Sequence, residues 1–258
     1  MIDTLRIFAN RYLPKSVLHR IRDLRNFIDD TAMARPRQRF YSQFIQKGSL
    51  CFDVGANIGN RVKPFLALGA RVVAIEPQKE CCDILKKRFS NSIVIINKGL
   101  GAQEESRDFY VSDASTISTF SSDWMEATTE TKRFEGYTWS ETRRVEVTTL
   151  DQLIAQYGLP DFIKIDVEGF EQEVISGLSQ PVPMLSFEYG VPEFSDRLEN
   201  SLRLLQRIYD NKLVCNYAAR EDMVWSLPNW LSVEAMSDHI RAEAFLATSA
   251  GDIYIRSA

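Results

Sequence analysis

Three short runs of the chain, LCFDV (50–54), RVVAIE (71–76) and IVIIN (93–97), are apolar nearly throughout and do not alternate with polar residues. Runs of that kind read as strands buried on both faces. The segments between them are spaced as helices, one over 58–68 ended by Gly69 and one opened by Pro77-Gln78 and reaching about Phe89. Strand and helix in alternation leave few packing solutions, and the expected one is a parallel sheet covered by helices on both faces. The rhythm breaks over 98–149, where RDFYVS and RRVEVTT read as strands and the Ser/Thr-rich Ser112–Ser122 reads as a mobile loop. It then resumes with a helix in LDQLIAQYG, a strand in DFIKIDVEG, a helix in FEQEVISGL and a strand in PMLSFEYG. A long amphipathic helix over about 194–210 and two last strands, KLVCNYA and GDIYIRS, complete the pattern. The expected organisation is one α/β domain over 49–258 behind a basic, helical N-terminal extension over 1–48.

Composition narrows the functional classes. With 258 residues, 45% hydrophobic and 26% charged, the chain can bury one large core. No apolar run approaches the roughly 18 residues of a membrane-spanning helix, and a start broken by Asp3, Arg6 and Arg11 does not read as a secretory signal. The four cysteines, Cys51, Cys81, Cys82 and Cys215, lack metal-ligand spacing and read as reduced thiols, so a cytoplasmic location is expected. Two histidines are too few for a histidine-rich metal site. The net charge of −4 is uneven, because residues 1–40 carry eight arginines and Lys15 against four aspartates and the remainder is acidic. An acidic body does not suit nucleic acid, whose binding requires basic clusters. Within the extension, apolar residues at helical spacing over 14–30 read as a helix packed on the main domain, with a membrane-surface or partner-binding helix as the alternative.

Four constellations carry chemistry. In Asp53-Val54-Gly55-Ala56-Asn57-Ile58-Gly59 a strand enters a Gly-x-x-x-Gly turn, where glycine lets backbone approach a ligand closely. Asn57 replaces the second glycine of the dinucleotide fingerprint, and Asp53 would repel phosphate. A carboxylate and an amide suit an ammonium group instead. Glu76-Pro77 follows at the end of the next strand, where a carboxylate can accept both hydroxyls of an unmodified ribose. Asp166 and Glu168 sit at another strand end, with Glu171 and Glu173 in the following helical turn, where they also complement the helix dipole. Glu188 ends a fourth strand. Two carboxylates at one strand end repel unless a cation, a lysine or a hydroxyl network lies between them. His239 stands alone and reads as structural.

The segments FDVGANIGNRVKPFLALGARVVAIEPQ, VTTLDQLI, IKIDVEGFE, LSFEY and GDIYIR, in that order over roughly 49–256, resemble the FkbM-type S-adenosylmethionine-dependent methyltransferases. The resemblance implies a class I, Rossmann-like sheet of seven mostly parallel strands with an antiparallel last strand. It places Asp53, Gly55, Ala56, Asn57 and Gly59 toward the methionine end of S-adenosyl-L-methionine, Glu76 and Pro77 at the ribose, and Gly99 and Leu100 by the adenine. Asp166 would stand near the sulfonium, with Asp166, Glu168 and Glu188 as the catalytic group. It also implies O-methylation of a hydroxyl on a sugar, glycan or natural product. The chain departs from many members at Arg61-Val62-Lys63, where small or hydroxyl residues are common. Whether the three carboxylates act alone or around Mg2+ stays open. Two rivals share the fold type, a nicotinamide-dependent oxidoreductase and a non-catalytic cofactor-binding or assembly module. Asn57 and the absence of a Tyr-x-x-x-Lys pair oppose the first, and the intact Asp53, Glu76 and Asp166 oppose the second. Acceptor specificity is expected in Ser112–Gly136 and Trp225–His239, and the oligomeric state is not encoded in any motif.

Overall fold

The computed structural model describes residues 32–258; the expected helix over 14–30 lies outside them. Seven strands form one sheet in the order β3-β2-β1-β7-β8-β10-β9. These are β1 (Leu50–Val54), β2 (Arg71–Ile75), β3 (Ile93–Ile96), β7 (Phe162–Ile165), β8 (Met184–Gly190), β9 (Leu213–Ala219) and β10 (Ala250–Ser257). All run parallel except β10, which is antiparallel to both β8 and β9. The sequence-predicted class I sheet with its reversed last strand is therefore the fold observed. A second sheet of three strands, in the order β4-β6-β5, joins β4 (Gly99–Leu100), β5 (Glu105–Ser112) and β6 (Trp139–Thr148).

Side-chain alternation divides the sheet into two cores. One face carries Phe52 and Val54, Val73 and Ile75, Ile163 and Ile165, and Ile253 and Ile255. The other carries Cys51, Val72, Ala74, Phe162 and Tyr254. The same alternation puts Asp53, Lys164 and Asp252 on that second face, beside Cys51, Phe162 and Tyr254. The helix over 32–41 covers it. Tyr41 packs edge-on against Phe65 at 4.9 Å between ring centres, and Phe40 does the same against Tyr254 at 5.3 Å. Phe40 and Tyr41, within the expected extension over 1–48, thus pack against the sheet of the domain expected over 49–258.

Three helices escaped the sequence pattern: Ser122–Glu130, Val233–His239 and Glu243–Leu246. They are short, and two are set by serine caps, Ser121 accepting from the Trp124 amide and Ser232 from the Ala235 amide. Ser112–Ser122 is also not the mobile loop expected. It contains a 3-10 turn, Ser115–Ile117, and buries Ile117, Thr119 and Phe120. Tyr110 and Thr119 exchange backbone hydrogen bonds, and the Trp139 indole donates to the Ile117 carbonyl at 2.8 Å. The hydroxyls of Ser112, Ser115, Ser118, Thr119 and Ser121 are also engaged in internal hydrogen bonds.

Candidate functional site

The carboxyl ends of β1, β2, β7 and β8 converge on one cavity, as ligand sites do at the switch point of an open α/β sheet. Beyond β1, the amides of Gly55 and Ala56 both donate to the Ile75 carbonyl, at 2.9 and 3.0 Å, and tie the turn to the end of β2. Gly55 has φ +80°, and a Cβ there would lie 1.8 Å from the Asp166 carbonyl oxygen, so the turn and the end of β7 touch only because no side chain intervenes. Asp53, Gly55, Ala56, Asn57, Glu76, Pro77, Gly99, Leu100, Asp166, Glu168 and Glu188 all line this cavity. Gly59 does not. Its α-carbon faces the Phe89 ring, which a Cβ would approach to 2.4 Å, so this glycine serves helix packing rather than a ligand.

Glu76 is buried and rigidly held. Its Oε2 accepts from the Asn57 amide and its Oε1 from the Gln78 amide, each at 2.8 Å, leaving further lone pairs on both oxygens. Burial lifts its pKa to about 7 against the pull of these donors. Burial likewise lifts Asp53 to about 7, against the opposing charges of Lys164 and Arg61. Asn57 has φ +46°, donates its side-chain amide to Ser115 at 3.1 Å and caps the Ile58 amide at 2.9 Å. Its amide group is therefore directed to the 112–122 segment rather than held in reserve for an ammonium.

Beside this cavity lies a second one, lined by Trp124, Phe134, Phe194, Arg133, Arg197 and Glu171 among others. Trp124 lies 5.4 Å from the Phe134 ring and 6.4 Å from the Phe194 ring. The two cavities share Thr116, Glu168 and Glu188 as a common wall. Residues 112–136 therefore line both cavities, through Ser115, Thr116 and Phe120 on one side and Trp124, Arg133 and Phe134 on the other. Residues 225–239 line neither. Trp225 packs tilted against Phe40 at 4.5 Å between ring centres, and His239 sits between the Tyr217 and Phe245 rings, with Nε2 3.4 Å from the Tyr217 hydroxyl. The expected contribution of that region to specificity is not seen, because its aromatic residues are consumed by packing.

Asp166, Glu168 and Glu188 come together, with a carboxylate oxygen of each within 4.8 Å of the others. Beneath them Lys164, fully buried, donates to Asp166 at 3.2 Å and to Asp252 at 2.8 Å. Burial alone would raise all three acids. For Asp166, however, Lys164, Arg61 and a hydrogen bond from Glu188 outweigh burial and hold it low. Glu168 and Glu188 are driven well above the ordinary range, by burial first and by the Asp166 charge second. Within the cluster, charge is thus favoured on Asp166 and disfavoured on Glu168 and Glu188. Glu168 takes φ +54°, a conformation costing about 1–2 kcal/mol outside glycine. Thr119, donating to the Glu168 carbonyl, and Glu171, accepting from the Val167 and Gly169 amides, hold it there. Glu171 is accordingly a brace for this loop.

The cavity suits S-adenosylmethionine on the chemistry of its walls. Glu76 offers acceptors at one point, and Ile75, Leu100, Phe109 and Phe120 make an apolar stretch. Three buried polar atoms on residues that line the cavity lack hydrogen-bond partners among the described residues, namely Asp53 Oδ2, Asn60 Oδ1 and Arg61 Nη1. Sequence reasoning missed Asn60, Gln78, Lys164, Asp252, Arg37 and Glu221. Of these only Lys164 leaves a trace in the sequence, as a lone cation inside the apolar strand FIKI.

Similar folds include a TehB-like SAM-dependent methyltransferase from Corynebacterium glutamicum, at 12% identity and TM-score 0.43 over 86% of this chain and 88% of that one. The plantazolicin methyltransferase BpumL in complex with SAH is another, at 11% identity and TM-score 0.43 over 97% and 93%. A precorrin-6y C5,15-methyltransferase from Geobacter metallireducens GS-15 aligns at 9% identity and TM-score 0.44 over 86% of each chain. No curated protein matches significantly. The family model of the methyltransferase FkbM domain matches residues 53–211, which span β1 through the helix Ser195–Ile208 and hold Asp53, Glu76, Asp166, Glu168 and Glu188. The chain belongs to the FkbM family of S-adenosylmethionine-dependent methyltransferases.

Proposed function

We propose that the protein O-methylates a hydroxyl on a sugar, glycan or natural product. One observation carries this reading: the cofactor cavity and the aromatic-lined cavity share Glu168 and Glu188 as a common wall, with Asp166 on the cofactor side. A polyhydroxylated ring suits the second cavity, where Trp124, Phe134 and Phe194 offer apolar faces and carboxyl and guanidinium groups offer hydrogen bonds. The carboxyl groups along its wall disfavour a phosphate backbone, which supports a small-molecule or glycan acceptor over nucleic acid. No helix among the described residues is long and apolar enough to cross a membrane. All four cysteines are free and buried, in keeping with a reducing compartment such as the cytoplasm.

Bound in the first cavity, S-adenosylmethionine supplies an electrophilic methyl group. The protein's own part is alignment and proton removal. Glu168 and Glu188, in which burial and the Asp166 charge favour the protonated form, donate hydrogen bonds that orient the acceptor oxygen. Asp166, kept ionised by Lys164, receives the hydroxyl proton. An oxygen forming a bond to carbon becomes strongly acidic, so a carboxylate of low basicity suffices. A divalent cation such as Mg2+ among Asp166, Glu168 and Glu188 is the alternative, and it would require all three to ionise.

The test uses a panel of hydroxylated sugars and natural products with S-adenosylmethionine, read by mass spectrometry and NMR. A methyl ether that wild type makes and Asp166→Asn does not supports the proposal. A methyl ester or N-methyl product refutes O-transfer to a hydroxyl, and normal turnover by Asp166→Asn removes Asp166 from the chemistry. Cofactor affinity in that variant should stay within about tenfold, since Asp53 and Glu76 remain. Full activity in EDTA eliminates the metal alternative; loss in EDTA with recovery in Mg2+ establishes it.

A further inference from the structure

The unpartnered buried atoms on residues that line the cofactor cavity are of opposite kinds. Asp53 Oδ2 and Asn60 Oδ1 are acceptors, whereas Arg61 Nη1 is a charged donor, and all three are buried without a hydrogen bond. Leaving such atoms unpaired costs about 1–3 kcal/mol each and more for charged groups, so three on residues lining one cavity point to a ligand that satisfies them. Arg61 is not loosely placed. Its side chain is 11% exposed, and its Nη2 donates to Glu221 at 2.5 Å. Glu221 also accepts from Arg37 at 3.4 Å, and Arg37 lies on the helix over 32–41, one turn before Phe40 and Tyr41, which anchor that helix to the sheet. Nη2 is thus occupied, and Nη1, on a side chain that lines the cavity and is fixed by Glu221, has no partner.

A group with an anion and a cation a few bonds apart matches this set, and an α-amino acid zwitterion is such a group. We propose that Arg61, held by Glu221 and Arg37, is the receptor for the carboxylate of the cofactor's methionine moiety, while Asp53 and Asn60 together receive its ammonium. The assignment rests on the reading of this cavity as the S-adenosylmethionine site. Guanidinium is suited to a carboxylate because it stays charged when buried and donates in a fixed plane. The arrangement gives a purpose to Arg61, a position where the chain departs from many of its relatives. It also makes residue 37, ahead of the first strand, part of the cofactor site.

Calorimetry with two ligands tests it without any turnover. S-Adenosylhomocysteine carries the carboxylate, and its decarboxylated analogue differs only in lacking it. Wild type should bind the first at least about tenfold more tightly, the worth of one charge-assisted hydrogen bond or more. Arg61→Met should bring the two affinities within about threefold of each other while its affinity for the decarboxylated analogue stays near that of wild type, which also shows that the variant is folded. Should Arg61→Met fail to fold, Arg61→Lys is read instead and should show a ratio between these values. A wild-type ratio near one overturns the assignment, as does a variant that keeps the wild-type ratio. Failure of wild type to bind either ligand overturns the cofactor reading itself and the assignment with it.

Discussion

Lys164→Met should be among the most damaging single substitutions in the sheet, by an amount that depends on pH. Lys164 is 1% exposed and bridges Asp252, 5% exposed, and Asp166. Even with the lysine present, burial keeps the Asp252 carboxyl above its ordinary range. Removing the cation leaves Asp252 as a buried charge with Arg61 the remaining favourable neighbour, a change that costs about 3–5 kcal/mol in comparable pairs. Protonation is the carboxyl's escape. In the variant, folded Asp252 holds its proton to higher pH than the unfolded chain does, so its contribution to stability is present at low pH and is lost as pH rises. Each pH unit in that window is worth about 1.36 kcal/mol per proton. Urea unfolding of both proteins at pH 8 should therefore show the full loss, and at pH 5 less than half of it. Lys164→Met/Asp252→Asn should recover most of the deficit at pH 8. A loss below about 1 kcal/mol, or one of the same size at both pH values, would refute the view of Lys164 as the counter-ion of this face.

Other outcomes follow from the same geometry. Glu76→Ala removes charge-assisted ribose contacts worth about 1.5–3 kcal/mol each and should weaken S-adenosylhomocysteine at least tenfold by calorimetry, with the fold retained; an unchanged affinity excludes Glu76 from the site. Because Asp53 and Glu76 titrate near 7 in the free protein, binding needs their ionised forms and releases protons. Affinity for S-adenosylhomocysteine should thus climb from about pH 5 to 7 and level off above, by up to tenfold per unit for each proton, and a flat profile contradicts this. Gly55→Ala places a methyl 1.8 Å from the Asp166 carbonyl at φ +80°, so it should lower the melting temperature and abolish cofactor binding. A variant that melts and binds as wild type does would show that β1 and β7 can separate freely.

The sheet was legible because burial on both faces leaves strand-length apolar runs in β1, β2, β7 and β8; β3 carries such a run although it is a half-buried edge strand with Val94 exposed. The short helices Val233–His239 and Glu243–Leu246 were not legible, since with seven and four residues neither spans enough turns to establish a period. Ser112–Ser122 misled for a different reason. Serine and threonine lower the apolar content of a segment whether their hydroxyls meet water or backbone, and here Ser118 donates toward Gln78 while accepting from the Ser112 amide. Only three-dimensional contacts distinguish the two.

The site was legible residue by residue but not as a system. Asp53, Glu76, Asp166, Glu168 and Glu188 each announce themselves as acids at the ends of apolar strands. Their protonation states do not, because these depend on which cation is nearest. Asp53, Lys164 and Asp252 are far apart in the chain, and they become neighbours only through the order β1-β7-β8-β10 and the registers that set Lys164 opposite Asp53 and Asp252 opposite Glu188. A shift of one residue in β7 would turn Lys164 to the apolar face and put Ile163 or Ile165 in its place. Asp166 would then lose the charge that keeps it ionised, and the cluster would have three acids and no fixed carboxylate. Register is therefore the link between the apolar pattern and the chemistry: the isoleucines that bury one face of β7 also determine which carboxyl group on the other can take a proton.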